Sequence, residues 1–428
     1  MSSYLRVLRH PDFRNLFLGQ SASVVGDRVV VVAVALFVTE TTGSATDLGL
    51  VLAAQSLPFV ALLLFGGVFG DRLPRQRIMI ATDIVRAVLH ATLAILIFAG
   101  TVPIWQLVVI EALFGSAQAF FQPAYAALIP QTVPDALLQD AKALTESMAN
   151  VAFLLGPALA TVLVLGVGAG EAFAFDAATF VVSVAFLTRV HPHSGAIAAA
   201  PAAGESVLDS LRAGWREVRS RTWVWVTIAV FTGAVLTVYA QWYALAPIIA
   251  RDHYGGAGVF GLLESVAGVG AVIGALAALR WQPERPLRAG LLLVLVWPLQ
   301  DGAFAIGAPL PLVAACALGT GFGFSLLMIW WETALARHIP PGALARVSAW
   351  DWMGSQALLP LGFLVAGPLA AALGANVVLG VGSVIGLVLL GLALLPHETR
   401  ELRSEPRAES ARATASAGAS ERAPVAAG

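Results

Sequence analysis

The chain has 428 residues, 58% of them hydrophobic and 12% charged, with a formal net charge of −1. A soluble domain is about a quarter charged, so most of this chain is built for a solvent other than water, and a soluble enzyme on a single anchor is excluded. The near-zero charge also argues against nucleic acid as a partner, and the single cysteine, Cys316, leaves no disulfide framework and no Cys-based metal site.

Taken in chain order, apolar runs bounded by charges and Gly/Pro clusters fall at residues 14–39, 47–69, 78–99, 104–127, 142–166, 172–190, 223–249, 258–280, 287–306, 312–334, 347–372 and 375–395. Each is near the ~20 residues that cross a bilayer, so the expected fold is an all-α membrane protein of twelve transmembrane helices. The basic N-terminal segment leads into a full-length span with no small-residue cleavage site, and the first span is expected to be retained. The expected organisation is a six-helix bundle over 1–190, a linker over 191–221, a second bundle over 222–396 and a disordered cytoplasmic tail over 397–428. In the linker Leu208, Leu211, Trp215 and Val218 recur at helical spacing, which predicts an amphipathic helix on the membrane interface. The tail is Ala/Ser/Arg/Glu-rich and has no periodicity.

Orientation follows from the basic residues. With the N-terminus inside, all but three of the 25 Lys and Arg fall on the inner side or its loops. Arg28 and Arg86 lie within spans, and Arg251 alone falls outside. Both termini are therefore expected to be cytoplasmic, in a multi-pass protein of a bacterial cell membrane.

The two halves echo each other. Pro134 and Pro341 are 207 residues apart, and Gly156-Pro157 and Gly367-Pro368 are 211 apart, each about half the chain. A parallel six-helix repeat of this kind builds one large group of secondary transporters. The segment Gly67-Val-Phe-Gly70-Asp71-Arg72-Leu-Pro74-Arg75-Gln-Arg77 resembles the GxxxDRxGRR loop of the major facilitator superfamily, with Pro74 in place of a Gly and the last Arg displaced to Arg77. The resemblance implies that Gly67, Asp71, Arg72, Arg75 and Arg77 latch the cytoplasmic side when the transporter faces outward. Phe121-Gln122-Pro123-Ala124, Phe175-Asp176-Ala177 and Arg346-Val347-Ser348-Ala349 look like bacterial exporters of the macrolide-efflux and enterobactin-exporter type. Gly156-Pro157 is similar to part of the drug-antiporter signature and is expected to bend span five.

Charge inside the membrane points to the coupling residues. Asp27, Asp83, Glu111, Glu264 and Asp301 lie several residues inside their spans, and five ionised carboxylates would cost roughly 15 kcal/mol on insertion scales. Only Arg28 and Arg86 are available as basic partners there, so three acids have none and are candidate proton carriers. The superfamily's arrangement implies that spans one, four, seven and ten line a central cavity. Span four carries Glu111, Gly115, Gln118, Gln122 and Tyr125 on one helical face, and span one aligns Gln20, Ser23 and Asp27. Asp27 and Glu111 are therefore read as the proton-coupling acids, with Gln20, Gln118 and Gln122 on the cavity wall. Asp83 and Arg86, three residues apart, read as a structural pair, and Glu264, Asp301 and Asp176 as structural. Span seven offers Thr237 and Gln241 for the cavity, and span ten offers Phe322 to stack on a substrate.

No GxxxxGK[ST] loop, HExxH or GxSxG is present, so ATP hydrolysis, zinc proteolysis and serine hydrolysis have no support. The reading is a proton-coupled antiporter that exports a small amphipathic compound by alternating access. It is expected to act as a monomer, with a small-molecule substrate, protons and the lipid bilayer as its partners, no nucleic acid and no cofactor. An importer or uniporter of the same fold would share every span, and a receptor or scaffold that no longer transports belongs to a different class.

Overall fold

The computed structural model describes residues 6–100, 102–192 and 207–403, apart from the side chains of 64–72, 207–211, 341, 342 and 345. Twelve helices among these residues are long and apolar enough to span a membrane: Pro11–Thr42, Ala45–Leu63, Arg75–Phe98, Ile104–Gln131, Asp135–Gly166, Ala169–Leu187, Thr222–His253, Gly258–Ala278, Pro286–Ala305, Leu310–His338, Arg346–Leu373 and Ala375–Ala393. They are called spans one to twelve below. No strand occurs among the described residues. In lipid every backbone polar group must be satisfied within its own segment, and apolar composition over these lengths leaves the helix as the outcome. Pro11, Pro286 and Pro341 stand in the first turn of their helices, where a missing N–H costs nothing.

Three spans are interrupted. Span seven carries a π-helical turn at Val235–Tyr239. Span nine breaks at Leu295, between Pro286–Val294 and Val296–Ala305, and span eleven consists of the helices Pro341–Gln356 and Leu359–Leu373. The π-turn matters for the cavity residues expected on span seven, because one extra residue in a turn rotates everything after it.

Spans one to six pack mainly with one another, as do spans seven to twelve. The halves meet mainly where span two packs on eleven and span five on eight, and span seven touches spans one and two. These contacts use the ends of the helices farthest from the chain termini. A Cβ on Gly367 would lie 2.2 Å from the Thr46 Cα, one on Gly261 1.9 Å from Thr161 Oγ1, and one on Gly268 2.9 Å from the Leu154 Cα. Glycine at these positions lets helices of opposite halves approach almost backbone to backbone. The structure is thus sealed at the end away from the termini.

At the boundaries, the linker residues form the helix Val207–Arg219. It docks on the second half: Val218 is fully buried with Trp223, Leu287 and Val347, and Trp215 meets Trp350 at 5.1 Å between ring centroids. The tail is not structureless from its start. His397–Glu401 forms a helical turn in which Glu401 pairs with Arg285 at 2.8 Å and Glu398 accepts the Thr222 N–H at 2.8 Å. Charged side chains that find nonlocal partners order a stretch whose composition alone reads as disordered. Residues 404–428 lie outside the described residues.

Candidate functional site

A cavity of about 360 Å³ opens within the first half, within the usual range for small-molecule sites. Span one contributes Phe17, Gln20, Ser21, Val24, Asp27, Arg28, Val30 and Val31, span two Gln55, and span four Phe114, Gln118, Phe121, Gln122 and Tyr125. Span five contributes Thr145, Glu146, Met148 and Ala149. Phe17, Tyr125 and Glu146 sit at the terminal ends of their helices, so the cavity reaches toward the end opposite the seal.

The stripe expected on span four divides. Gln118, Gln122 and Tyr125 line the cavity, as do Gln20 and Asp27 of span one. Glu111 does not: it is 1% exposed and faces His90 of span three at 3.7 Å. Gly115 is pressed against span two, where a Cβ would lie 1.9 Å from the Gln55 carbonyl oxygen. One helical face is exposed where the bundle gapes and buried where it converges, so a straight stripe crosses from cavity wall to bundle interior. Span seven also departs from expectation, because the π-turn intervenes between Gly233 and Gln241. Thr237 donates to the Gly233 carbonyl, and Gln241 donates to the carbonyls of Leu236 and Gly362. Neither lines the cavity, nor does Phe322, whose backbone packs against Gly270 and Gly274 of span eight.

Beside the cavity lies a buried polar network. Arg86 of span three is fully buried. It pairs with Asp83 and approaches Asp27 Oδ1 at 3.6 Å, and its guanidinium lies over the rings of Phe121 and Phe180 at 4.1 and 4.3 Å. Asp83 also accepts from Ser183, which in turn accepts from Gln20, at 2.7 and 2.9 Å. Asp27 is the outlet of this network, its side chain 24% exposed on the cavity side while Asp83 and Arg86 are at 0%. One turn farther along span three, His90 sits between Asp176 of span six, at 2.5 Å, and Glu111.

His90 carries no expectation from the sequence, although Asp83, Arg86 and His90 fall at i, i+3 and i+7, one helical face. Arg28 points away from Asp27 and lies over the Phe153 ring at 5.4 Å. Gly156 serves close packing rather than bending alone, since a Cβ there would meet Arg28 Cβ at 2.4 Å, while Pro157 continues inside the helix. Of the expected latch, Arg75 donates to the Ala127 carbonyl at the end of span four, at 3.0 Å, and Arg77 is exposed. The side chains of Gly67, Asp71 and Arg72 lie outside the described residues.

The second half holds two further buried acids. Glu264 accepts from Trp242 Nε1 at 2.7 Å and Tyr243 OH at 2.6 Å, a satisfied structural acceptor. Asp301 is fully buried, and neither carboxyl oxygen has a hydrogen-bond partner. An unsatisfied buried polar group costs about 1–3 kcal/mol, so Asp301→Leu is expected to raise the melting temperature of the purified protein. A fall of several degrees would show that this carboxyl is bonded in the native state.

Comparison with known proteins agrees with this architecture. The sequence profile described as "transmembrane secretion effector", of the major facilitator superfamily, matches residues 2–295. The chain belongs to this family. Members of the family and the folds it resembles are transporters, not enzymes. Macrolide efflux protein A of Streptococcus pyogenes is 27% identical over 275 residues, which is 62% of this chain and 65% of that protein. The chain thus matches slightly under two thirds of that relative's length. The multidrug efflux pump Tap of Mycolicibacterium fortuitum is 24% identical over 408 residues, 92% of this chain and 97% of the pump. Among solved structures, a variant of the nucleoside transporter NupG superposes with a TM-score of 0.70 at 13% identity, covering 92% of this chain and 99% of that one. A POT family transporter gives a TM-score of 0.70 at 11% identity, covering 90% and 95%. These likenesses carry the fold, and this chain is a multi-pass membrane protein with twelve candidate spans among the described residues.

Proposed function

We propose that the protein is a proton-coupled exporter of a small amphipathic compound, working by alternating access in a bacterial cell membrane with both termini cytoplasmic. The observation that carries the reading is Asp27: it alone of the network's carboxylates reaches the cavity, and it lies 3.6 Å from its base, beyond hydrogen-bond length. Such an acid can exchange its weak ion pair for a proton or for a substrate group. Export is favoured by the relatives named for macrolide and multidrug efflux. The arginine bias supports the orientation, in which the cavity faces the cytoplasm and the seal lies outside. Aromatic walls at Phe17, Phe114 and Phe121 with amides at Gln55, Gln118 and Gln122 suit an amphipathic cargo.

In this cycle a proton reaching Asp27 from the outside displaces cargo, and its loss to the cytoplasm resets the site. One proton moving down 100 mV and one pH unit supplies about 3.7 kcal/mol, a gradient of roughly 500-fold.

The test uses everted membrane vesicles and a macrolide as the first substrate of a wider drug panel. Substrate addition is expected to move protons, and Asp27→Asn to lose uphill transport while keeping gradient-free counterflow. Wild-type uphill transport by Asp27→Asn would overturn the assignment, and transport indifferent to collapse of the proton gradient would overturn the coupling.

A further inference from the structure

The part of the network farthest from the cavity has a charge balance of its own. The charged groups around His90 come from every helix packed against it: Asp83 and Arg86 on its own span, Asp27 on span one, Glu111 on span four and Asp176 on span six. Fully ionised, these four carboxylates face two bases, counting His90 as a cation. Two negative charges are then left inside an apolar bundle, where all but Asp27 are at most 1% exposed. Two bound protons cancel them.

The coupling reading above assigns one of these protons to Asp27. Geometry marks the place of the other. His90 Nε2 and Glu111 Oε1 face each other at 3.7 Å, both buried, and neither has a hydrogen-bond partner. The opposite ring nitrogen, Nδ1, is held at 2.5 Å from Asp176 Oδ2, and the ring is stacked on Phe114 at 4.2 Å, so the imidazole is fixed in orientation. With His90 counted as a cation, both ring nitrogens donate, Nδ1 to Asp176 and Nε2 toward Glu111 Oε1, and the place left for the second proton is the buried Glu111 carboxyl.

We propose that His90, Glu111 and Asp176 form a second proton-binding site, so that the first half of the transporter holds two exchangeable protons. The inference rests on the proton-coupled reading for its role in transport, but the existence of the site does not. His90 lies four residues beyond Arg86, about 6 Å nearer the sealed end, so the second site is the one closer to water when that end opens. The two sites sense each other. Asp176 is pressed against span one beside Asp27, for a Cβ on Gly26 would lie 2.2 Å from its Oδ1. Phe114, on which His90 stacks, is itself a cavity residue. With two protons per cycle the limiting substrate ratio scales as the square of the single-proton value.

The experiment counts protons without a substrate. Full-length protein in nanodiscs is titrated in unbuffered solution, and the protons released between acid and alkaline pH are compared between wild type and variants. Asp27→Asn and Glu111→Gln are each expected to release one proton fewer than wild type, and the double variant two fewer. A wild-type count for Glu111→Gln overturns the second site and leaves the role of Asp27 untouched. Retained uphill transport by Asp27→Asn would instead remove the coupling reading and leave the proton count standing. Should Glu111→Gln fail to fold, infrared pH-difference spectra of protein carrying isotope-labelled glutamate and Glu264→Gln decide the matter. A titrating buried glutamic acid band supports the site, and its absence overturns it.

Discussion

Replacing Arg86 with leucine is expected to remove nearly all correctly folded protein from the membrane. The guanidinium is fully buried, bonded to Asp83, within 3.6 Å of Asp27 and covered by aromatic rings. Its loss leaves Asp83, at 0% exposure, with only the Ser183 hydroxyl as a partner. Breaking a buried pair by removing one member costs about 3–5 kcal/mol, a large share of the roughly 5–15 kcal/mol that holds a typical fold. Arg86→Lys keeps the charge but loses the planar fork and the stacking on Phe121 and Phe180, so partial folding is expected. The double variant Asp83→Leu with Arg86→Leu, which removes both charges, is expected to fold better than Arg86→Leu alone. Size-exclusion profiles of fluorescently tagged protein and thermal melts measure all three. An Arg86→Leu protein as stable as wild type would show that Asp83 and Asp27 do not depend on this base.

The second large effect is expected at Arg251, whose side chain lies at the sealed end. It lies at the end of span seven and crosses to the other half, donating from Nη1 to the Thr39 carbonyl at 2.9 Å. That carbonyl belongs to the last turn of span one, where it also accepts the Gly43 N–H at 3.0 Å and where positive charge is favoured. Gly43 makes the room: it has φ +63°, and a Cβ there would lie 2.2 Å from Arg251 Nη1. In the alternating-access cycle proposed above, this bond joins the halves at the sealed end and so stabilises only the state in which that end is closed. A hydrogen bond from a charged donor contributes about 1.5–3 kcal/mol, so Arg251→Ala is expected to shift the ratio of the two states by about 10- to 100-fold toward opening at that end. Gly43→Val, which fills the guanidinium's place, is expected to act in the same direction. Distances between spin labels placed across the sealed end, in a Cys316→Ser background, report the shift. Unchanged distance distributions in both variants would show that the glycine-packed helices alone hold the seal.

Local chemistry was legible in the sequence where partners lie within one or two turns. Asp83 and Arg86 pair as their spacing predicts, and Gln118, Gln122 and Tyr125 share the cavity-facing side of span four. Glu111 shares that periodicity and yet leaves the cavity, because a helical wheel assigns a face but not the neighbour it meets along the helix. Gln241 departs from its expected face for a different reason: the π-turn at Val235–Tyr239 breaks the i, i+4, i+8 register, and the side chain bonds the Leu236 and Gly362 carbonyls instead. Three deep acids, Glu111, Glu264 and Asp301, have no arginine partner, as the count of intramembrane bases predicts, but one arginine rather than two supplies the pairs. Arg86 serves both Asp27 and Asp83, and Arg28 stacks on Phe153.

Alone, the sequence determined the solvent, the number of spans, the two-half repeat and the side on which basic charge collects. These are sums over many residues, and partition between water and hydrocarbon acts on such sums whatever the tertiary arrangement. Tertiary structure decided which acid reaches the cavity, that His90 stands between Glu111 and Asp176, and that Arg251 meets a carbonyl 212 residues away. Each of those outcomes depends on one pair of atoms brought together by the tilt and close approach of whole helices, which no periodicity within a single helix records.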